Sequence, residues 1–172
     1  MMRLARSLGV FGLFGLCVLA GPVQAAPDDG DLLALSAAYF DANQRDEDAA
    51  EARIEYRSDK QFWWFKPFGG IMATSDGAAH GFAGVLIDFA LFDRFYITPS
   101  FAPGLYHDGD GKDLHHTLEF RSQIELSYRF RSGSRLGFSF NHISNANLGE
   151  DNPGVESAAI TYIVPLERFF RR

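Results

Sequence analysis

Cysteine is nearly absent: Cys17 stands alone among 172 residues, so the chain cannot build a disulfide framework of its own. Cys17 sits between Phe14-Gly15-Leu16 and Val18-Leu19, inside the apolar run Leu8–Ala20. It is expected to be lost with that run, which would exclude thiol nucleophiles and cysteine-ligated metals as well. Positive charge is also in short supply, with 16 Lys and Arg against 22 Asp and Glu, a net charge of −6 and a pI near 5.3. The cations are scattered, so the footprint of a nucleic-acid-binding protein is missing. After residue 25 no apolar stretch approaches the roughly 20 residues that a membrane-spanning helix needs. Internal repeats and low-complexity tracts are lacking too, and the length suits one domain.

The first residues read as a leader. Arg3 and Arg6 precede the apolar run, and Val23-Gln24-Ala25 follows it, which are the three parts of a secretory signal peptide. The run is too short for a membrane anchor. The expected organisation is a signal peptide over residues 1–25, cleaved after Ala25, and one domain over residues 26–172.

What the chain has in excess is aromatic residues, 15% of the total with 17 Phe. Aromatic enrichment behind a secretion signal, without a membrane helix, points to a barrel, whose strands must alternate between lipid-facing apolar and lumen-facing polar residues. From Leu118 to Phe130 the residues Leu118, Phe120, Ile124, Leu126, Tyr128 and Phe130 share one parity, broken only by Ser122. Glu119, Arg121, Gln123, Glu125, Ser127 and Arg129 share the other. Weaker alternation elsewhere predicts eight strands near Leu32–Phe40, Ala50–Ser58, Trp64–Thr74, Gly81–Ala90, Arg94–Leu105, His116–Phe130, Arg135–Ser144 and Val155–Pro165.

Short connections near Asp59-Lys60, Asp93 and Arg131-Ser132-Gly133 alternate with longer polar ones near Ala42–Asp48, His107–His115 and Ala146–Gly154, as inner turns and outer loops do. The connection at Ser75–Ala78 is short for an outer loop. Trp63, Trp64 and Phe65 fit an aromatic girdle beside an inner turn. The expected fold is all-β, an eight-stranded antiparallel transmembrane outer-membrane β-barrel. A soluble sandwich or lipocalin-like barrel would alternate as well, because parity alone does not say which face is inside.

Chemistry is concentrated near the end of the chain. On the seventh strand Leu136, Phe138, Phe140, His142 and Ser144 share one face. On the eighth, Glu156 shares the more apolar parity of Ala158, Ile160, Tyr162 and Val164. Polar groups in such a row are costly unless satisfied or close to water. A serine hydroxyl needs a base to become a nucleophile, and a histidine serves best when a carboxylate fixes its tautomer. His142 and Ser144 are separated by roughly 6.6 Å of strand, and Glu156 would lie about 5 Å from His142, Cβ to Cβ, if the two are paired across strands. Spacing alone also fits two strands that simply end at the water interface, since His-x-Ser is a weak motif. Asp108-Gly109-Asp110-Gly111-Lys112-Asp113 lacks the spacing and closing Glu of a calcium loop. His115 and His116 point to opposite faces if extended. No metal or cofactor is expected.

The stretch Phe140-Asn141-His142-Ile143-Ser144-Asn145-Ala146, with Asn152-Pro153-Gly154 and Glu156 after it, resembles the C-terminal signature of PagL-type lipid A 3-O-deacylases of Gram-negative bacteria. The resemblance is specific over roughly the last third of the chain. It implies a Ser144–His142–Glu156 triad that hydrolyses the ester-linked 3-hydroxyacyl chain at the 3-position of lipid A in the outer leaflet. It further implies an oxyanion role for Asn152, a supporting position at Asn145, and outer-membrane residence, and it allows a homodimer. Ile143 departs from the aromatic residue common in the family, which is expected to alter packing near the substrate. Two rival readings stay open, a structural or adhesion barrel and another outer-membrane lipid esterase or acyltransferase.

Overall fold

The computed structural model describes residues 24–25, 30–43 and 47–170. Eight long strands follow one another: β1 (Leu32–Phe40), β2 (Ala49–Arg57), β3 (Lys66–Thr74), β4 (Ala79–Leu86), β5 (Phe95–His107), β6 (Leu118–Arg129), β7 (Arg135–Ser144) and β8 (Val155–Pro165). Each pairs antiparallel with its neighbours in sequence, and β8 pairs with β1 to close the ring. Closure leaves no row of unpaired backbone groups facing lipid. Residues Gln24–Ala25 form a two-residue pairing with Phe89–Ala90. The rest of the expected signal peptide lies outside the described residues.

Three of the predicted strands, β1, β7 and β8, begin and end where the alternation places them. Three of the departures elsewhere have local causes. β3 starts at Lys66 rather than Trp64 because Phe62-Trp63-Trp64-Phe65 closes on itself. The Phe62 N–H donates to the Phe65 carbonyl at 2.8 Å, the Phe65 N–H to the Phe62 carbonyl at 3.0 Å, and Trp63 has φ 58°. β4 stops at Leu86, short of Ala90, where it meets Pro99. The Ile87 N–H donates to the Pro99 carbonyl at 3.0 Å, but proline has no N–H to return. The ladder resumes only at Phe89 opposite Ile97. β6 starts at Leu118 rather than His116, where the His116 ring captures the Leu118 N–H at 3.0 Å.

Burial settles which face is which. On β6 the charged row Glu119, Arg121, Gln123 and Glu125 is buried, whereas Ile124 and Leu126 are 46% and 51% exposed. The same inversion holds around the ring, with Leu35, Ile54, Ile71, Phe101, Phe138 and Ile160 facing outward. A soluble barrel would be the other way round, and an apolar wall of this extent belongs in lipid.

Inside, several of the buried charges are paired, because an unpaired one is expensive, while the Glu119 carboxylate has no hydrogen-bond partner among the described residues. Arg57 reaches both carboxylate oxygens of Glu125, at 2.9 and 2.8 Å, and Glu55 at 2.8 Å. Arg135 pairs with Asp88 at 2.8 Å and lies over the Tyr96 ring at 3.9 Å. Toward the outer end the lumen is stopped by an apolar plug that includes Phe40, Met72, Tyr106, Leu114, Ile143 and Val155. The outer loops are tied above it: Lys112 Nζ bonds Asp41 Oδ1 at 2.8 Å, and the Tyr106 hydroxyl donates to the Lys112 carbonyl at 2.8 Å.

Candidate active site

β7 rises to the outer rim and β8 descends from it, so the last residues of one face the first of the other. Their register sets Glu156 directly opposite His142 and Val155 opposite Ile143. Outward parity then brings the imidazole and the carboxylate together, with His142 Nδ1 and Glu156 Oε1 at 2.9 Å. The histidine side chain is 43% exposed and the glutamate 18%. The second oxygen, Glu156 Oε2, is buried and has no hydrogen-bond partner among the described residues. A carboxylate so shielded acts on its imidazole with little competition from water.

Because Nδ1 is engaged by Glu156, Nε2 is the nitrogen left for a substrate or a nucleophile. The direction of that edge is set by Gly154, in the left-handed region at φ +62°. A Cβ built on Gly154 would lie 2.8 Å from His142 Cε1 and 3.6 Å from Nε2. The loop backbone thus packs against the ring, and its Cε1–Nε2 edge faces the loop side, the end of β7 where Ser144 stands. Ser144 occupies the same outward face two residues above His142, opposite Phe120 of β6.

The loop at 145–154 is held by Asn145. Its Nδ2 donates to the carbonyls of Leu114 at 3.1 Å and Asp151 at 2.8 Å, and its Oδ1 accepts the Asn147 N–H at 2.9 Å. The side chain is fully buried and its hydrogen-bonding capacity is largely used. The Asn145 backbone N–H donates to Asn152 Oδ1 at 3.1 Å. A backbone N–H is a donor without ambiguity, so the Asn152 atom facing it must be oxygen, and Nδ2 is turned away as a free donor. Ala146 and Asn147 are both left-handed, at φ 55° and 63°, a concentration of backbone strain of the kind functional loops carry.

Of the residues expected from sequence, His142 and Glu156 are brought into contact, Ser144 shares their outward face with no hydrogen bond to His142 among the described residues, and Asn145 and Asn152 are joined in one loop. Ile143 does not bear on that face. It is fully buried in the plug with Phe40, Tyr106 and Val155, so the departure from an aromatic residue there is a matter of lumen packing. Two participants were not foreseen. Gly154 carried a signal, a glycine directly after proline in a loop, and its packing on the histidine ring depends on tertiary placement. Ser122 was visible as the break in an apolar row. Only register shows that it faces His142 from the side opposite Glu156.

The family model described as Lipid A 3-O-deacylase (PagL) matches residues 48–165, more than half of the chain. A curated relative, lipid A deacylase PagL of Bordetella bronchiseptica, is 28% identical over 72 residues, 41% of this chain and 40% of that protein. The matched stretch therefore spans well under half of that relative. Among solved structures, the crystal structure of the outer membrane enzyme PagL superimposes with a TM-score of 0.61 at 23% identity, covering 77% of this chain and 99% of the other. A de novo designed transmembrane β-barrel gives 0.58 at 8% identity over 82% and 100%. Neisserial surface protein A gives 0.53 at 9% identity over 79% and 96%. These three establish the barrel fold.

Proposed function

The chain belongs to the lipid A 3-O-deacylase (PagL) family, and from that premise we propose that it hydrolyses the ester-linked 3-hydroxyacyl chain at the 3-position of lipid A with Ser144, His142 and Glu156 as a triad. The observation that carries this reading is the 2.9 Å bond between His142 Nδ1 and Glu156 Oε1 on the outer wall of the barrel, the wall that Ser144 faces by strand parity. A structural or adhesion barrel gives no reason to keep a carboxylate–imidazole pair on that face, where polar groups are costly.

In the proposed reaction Ser144 Oγ attacks the ester carbonyl carbon while His142 Nε2 takes its proton, and Glu156 stabilises the imidazolium that results. The negative charge on the carbonyl oxygen is met by Asn152 Nδ2, the amide donor left once Asn152 Oδ1 accepts the Asn145 N–H. Collapse of the tetrahedral intermediate breaks the bond to the sugar oxygen, which leaves with the proton from His142. Water, deprotonated in turn by His142, releases the hydroxy fatty acid and restores Ser144. The three residues come from adjacent strands of one chain, so a homodimer is not required to complete the site.

The substrate would stay in the outer leaflet of a Gram-negative outer membrane, its ester carried past the rim. The leader over residues 1–25 would be removed after Ala25, taking with it the Gln24–Ala25 pairing and leaving the barrel domain at 26–172. Mass spectrometry of lipid A from cells producing the protein tests the reading. Loss of one 3-linked hydroxyacyl chain is expected, and Ser144→Ala should reduce the rate by about 10³-fold or more. Unchanged lipid A, or a Ser144→Ala protein that inserts normally and stays fully active, would overturn it; gain of an acyl chain would indicate transfer instead.

A further inference from the structure

The lipid-facing row of β6 is apolar except for Ser122, which is exposed on the outer wall between Phe120 and Ile124. Register places it opposite His142 on β7 and opposite Phe101 on β5. The row across the wall therefore runs Phe101, Ser122, His142, Glu156. Glu156 already engages His142 from the β8 side, and Gly154 turns the reactive edge of the ring toward the loop. Neither contact gives Ser122 a part in activating the nucleophile.

Depth gives it another role. Ser144 is opposite Phe120, and Ser122 lies two residues further along β6 toward the middle of the bilayer, about 6.6 Å along the strand and about 5 Å deeper at the usual barrel tilt. An ester whose carbonyl sits about 3 Å from Ser144 Oγ has its sugar above, at the rim, and its acyl chain running down the wall. The first polar group that chain carries below the carbonyl is its 3-hydroxyl. That group would lie between the levels of Ser144 and Ser122, within about one hydrogen bond, ~2.8 Å, of a serine side chain reaching up.

We infer that Ser122 is a specificity-determining residue: its hydroxyl hydrogen-bonds the 3-hydroxyl of the acyl chain, so that the site selects 3-hydroxyacyl esters over plain acyl esters. The inference rests on the deacylase reading and adds the chemical feature of the chain that is recognised. A hydroxyl on a lipid-facing strand is poorly satisfied by hydrocarbon and gains a partner when a hydroxylated chain occupies the wall.

The test compares kcat/KM of the full-length protein in lipid vesicles for two synthetic lipid A analogues, one with a 3-hydroxyacyl and one with an unsubstituted acyl ester of equal length at the 3-position. Released fatty acid is measured by mass spectrometry, and folding is checked by heat-modifiable migration on gels. Wild type should favour the hydroxyacyl ester by about tenfold, the worth of one hydrogen bond. Ser122→Ala should bring the ratio close to one by losing rate on the hydroxyacyl ester alone, and Ser122→Thr, which keeps a hydroxyl, should retain much of the preference. A wild type that cleaves both esters equally, or a Ser122→Ala protein that keeps the wild-type ratio, overturns the inference and leaves the deacylase reading standing. A wild type that cleaves neither ester overturns both.

Discussion

Gly154→Ala offers a sharp test of how the histidine is held. The residue lies at φ +62°, and an added Cβ would stand 2.8 Å from His142 Cε1, where ordinary contacts begin at 3.4 Å. The ring or the loop must therefore give by more than about half an ångström, and a ring that moves away loosens the 2.9 Å bond to Glu156 or carries Nε2 off line from Ser144. A misplacement of about 1 Å costs on the order of 10²-fold in rate, so the rate of the proposed lipid A deacylation should fall by about that factor. Backbone strain alone would cost about 1–2 kcal/mol of stability, and Gly133→Ala supplies that control. Gly133 has φ +84°, yet its Cβ would meet only Pro165 Cγ at an ordinary 3.6 Å, on an inner turn far from the site. Both variants should lose a few degrees of thermal midpoint, and only Gly154→Ala should lose activity. Equal rates for the two would refute the idea that this glycine positions the ring.

Glu156→Gln keeps the shape of the pair and removes its charge, and should reduce kcat by about 10²–10⁴-fold with barrel insertion unchanged; wild-type kinetics would remove Glu156 from the proposed triad. Lys112→Met takes the cation from the fully buried Asp41 and leaves its carboxylate the Glu47 N–H at 3.3 Å, at a cost of about 3 kcal/mol, to be read as a lower unfolding midpoint and easier proteolysis of the outer loops. Adding Asp41→Asn should recover much of that loss, and no recovery would mean that Lys112 acts by packing. The Asp59 backbone N–H and the Tyr56 hydroxyl hold the Asp31 carboxyl below the usual carboxylate range. Its contribution is therefore present above about pH 4 and lost as pH falls through the lowered folded value. The stability gap between wild type and Asp31→Asn should close on acidification, and a gap independent of pH would argue against the hydrogen-bonded carboxylate.

Much of the architecture was legible in the sequence because one physical demand, apolar toward lipid and polar toward the lumen, acts at every second residue. The strands Leu32–Phe40, Arg135–Ser144 and Val155–Pro165 lie where the sequence pattern puts them. The misplaced ends are where another force takes over: a proline that breaks a ladder at Pro99, an aromatic turn at Phe62–Phe65, a histidine ring that captures an N–H at His116. For the site, the common outward face of His142 and Ser144 followed from parity, and the pairing with Glu156 was conditional on a register that sequence does not specify. The role of Asn145 was only a position in a motif. Its partners, Leu114 and Asp151, come from two different loops, and no local pattern announces a contact between residues 31 positions apart.

The outward aim of the His142–Glu156 pair has a kinetic consequence. A pocket that opens to water samples its substrate in three dimensions, whereas a site on the side wall of a barrel meets only molecules that slide past it in the same leaflet. Turnover at the proposed site should then follow the number of lipid A molecules per unit area, and inert lipid added to the sheet should slow it even when the amount of lipid A in the sample is unchanged. A fatty acid released by the proposed reaction would enter that same sheet and compete for the wall until it departs. For such a protein, concentration is a surface density.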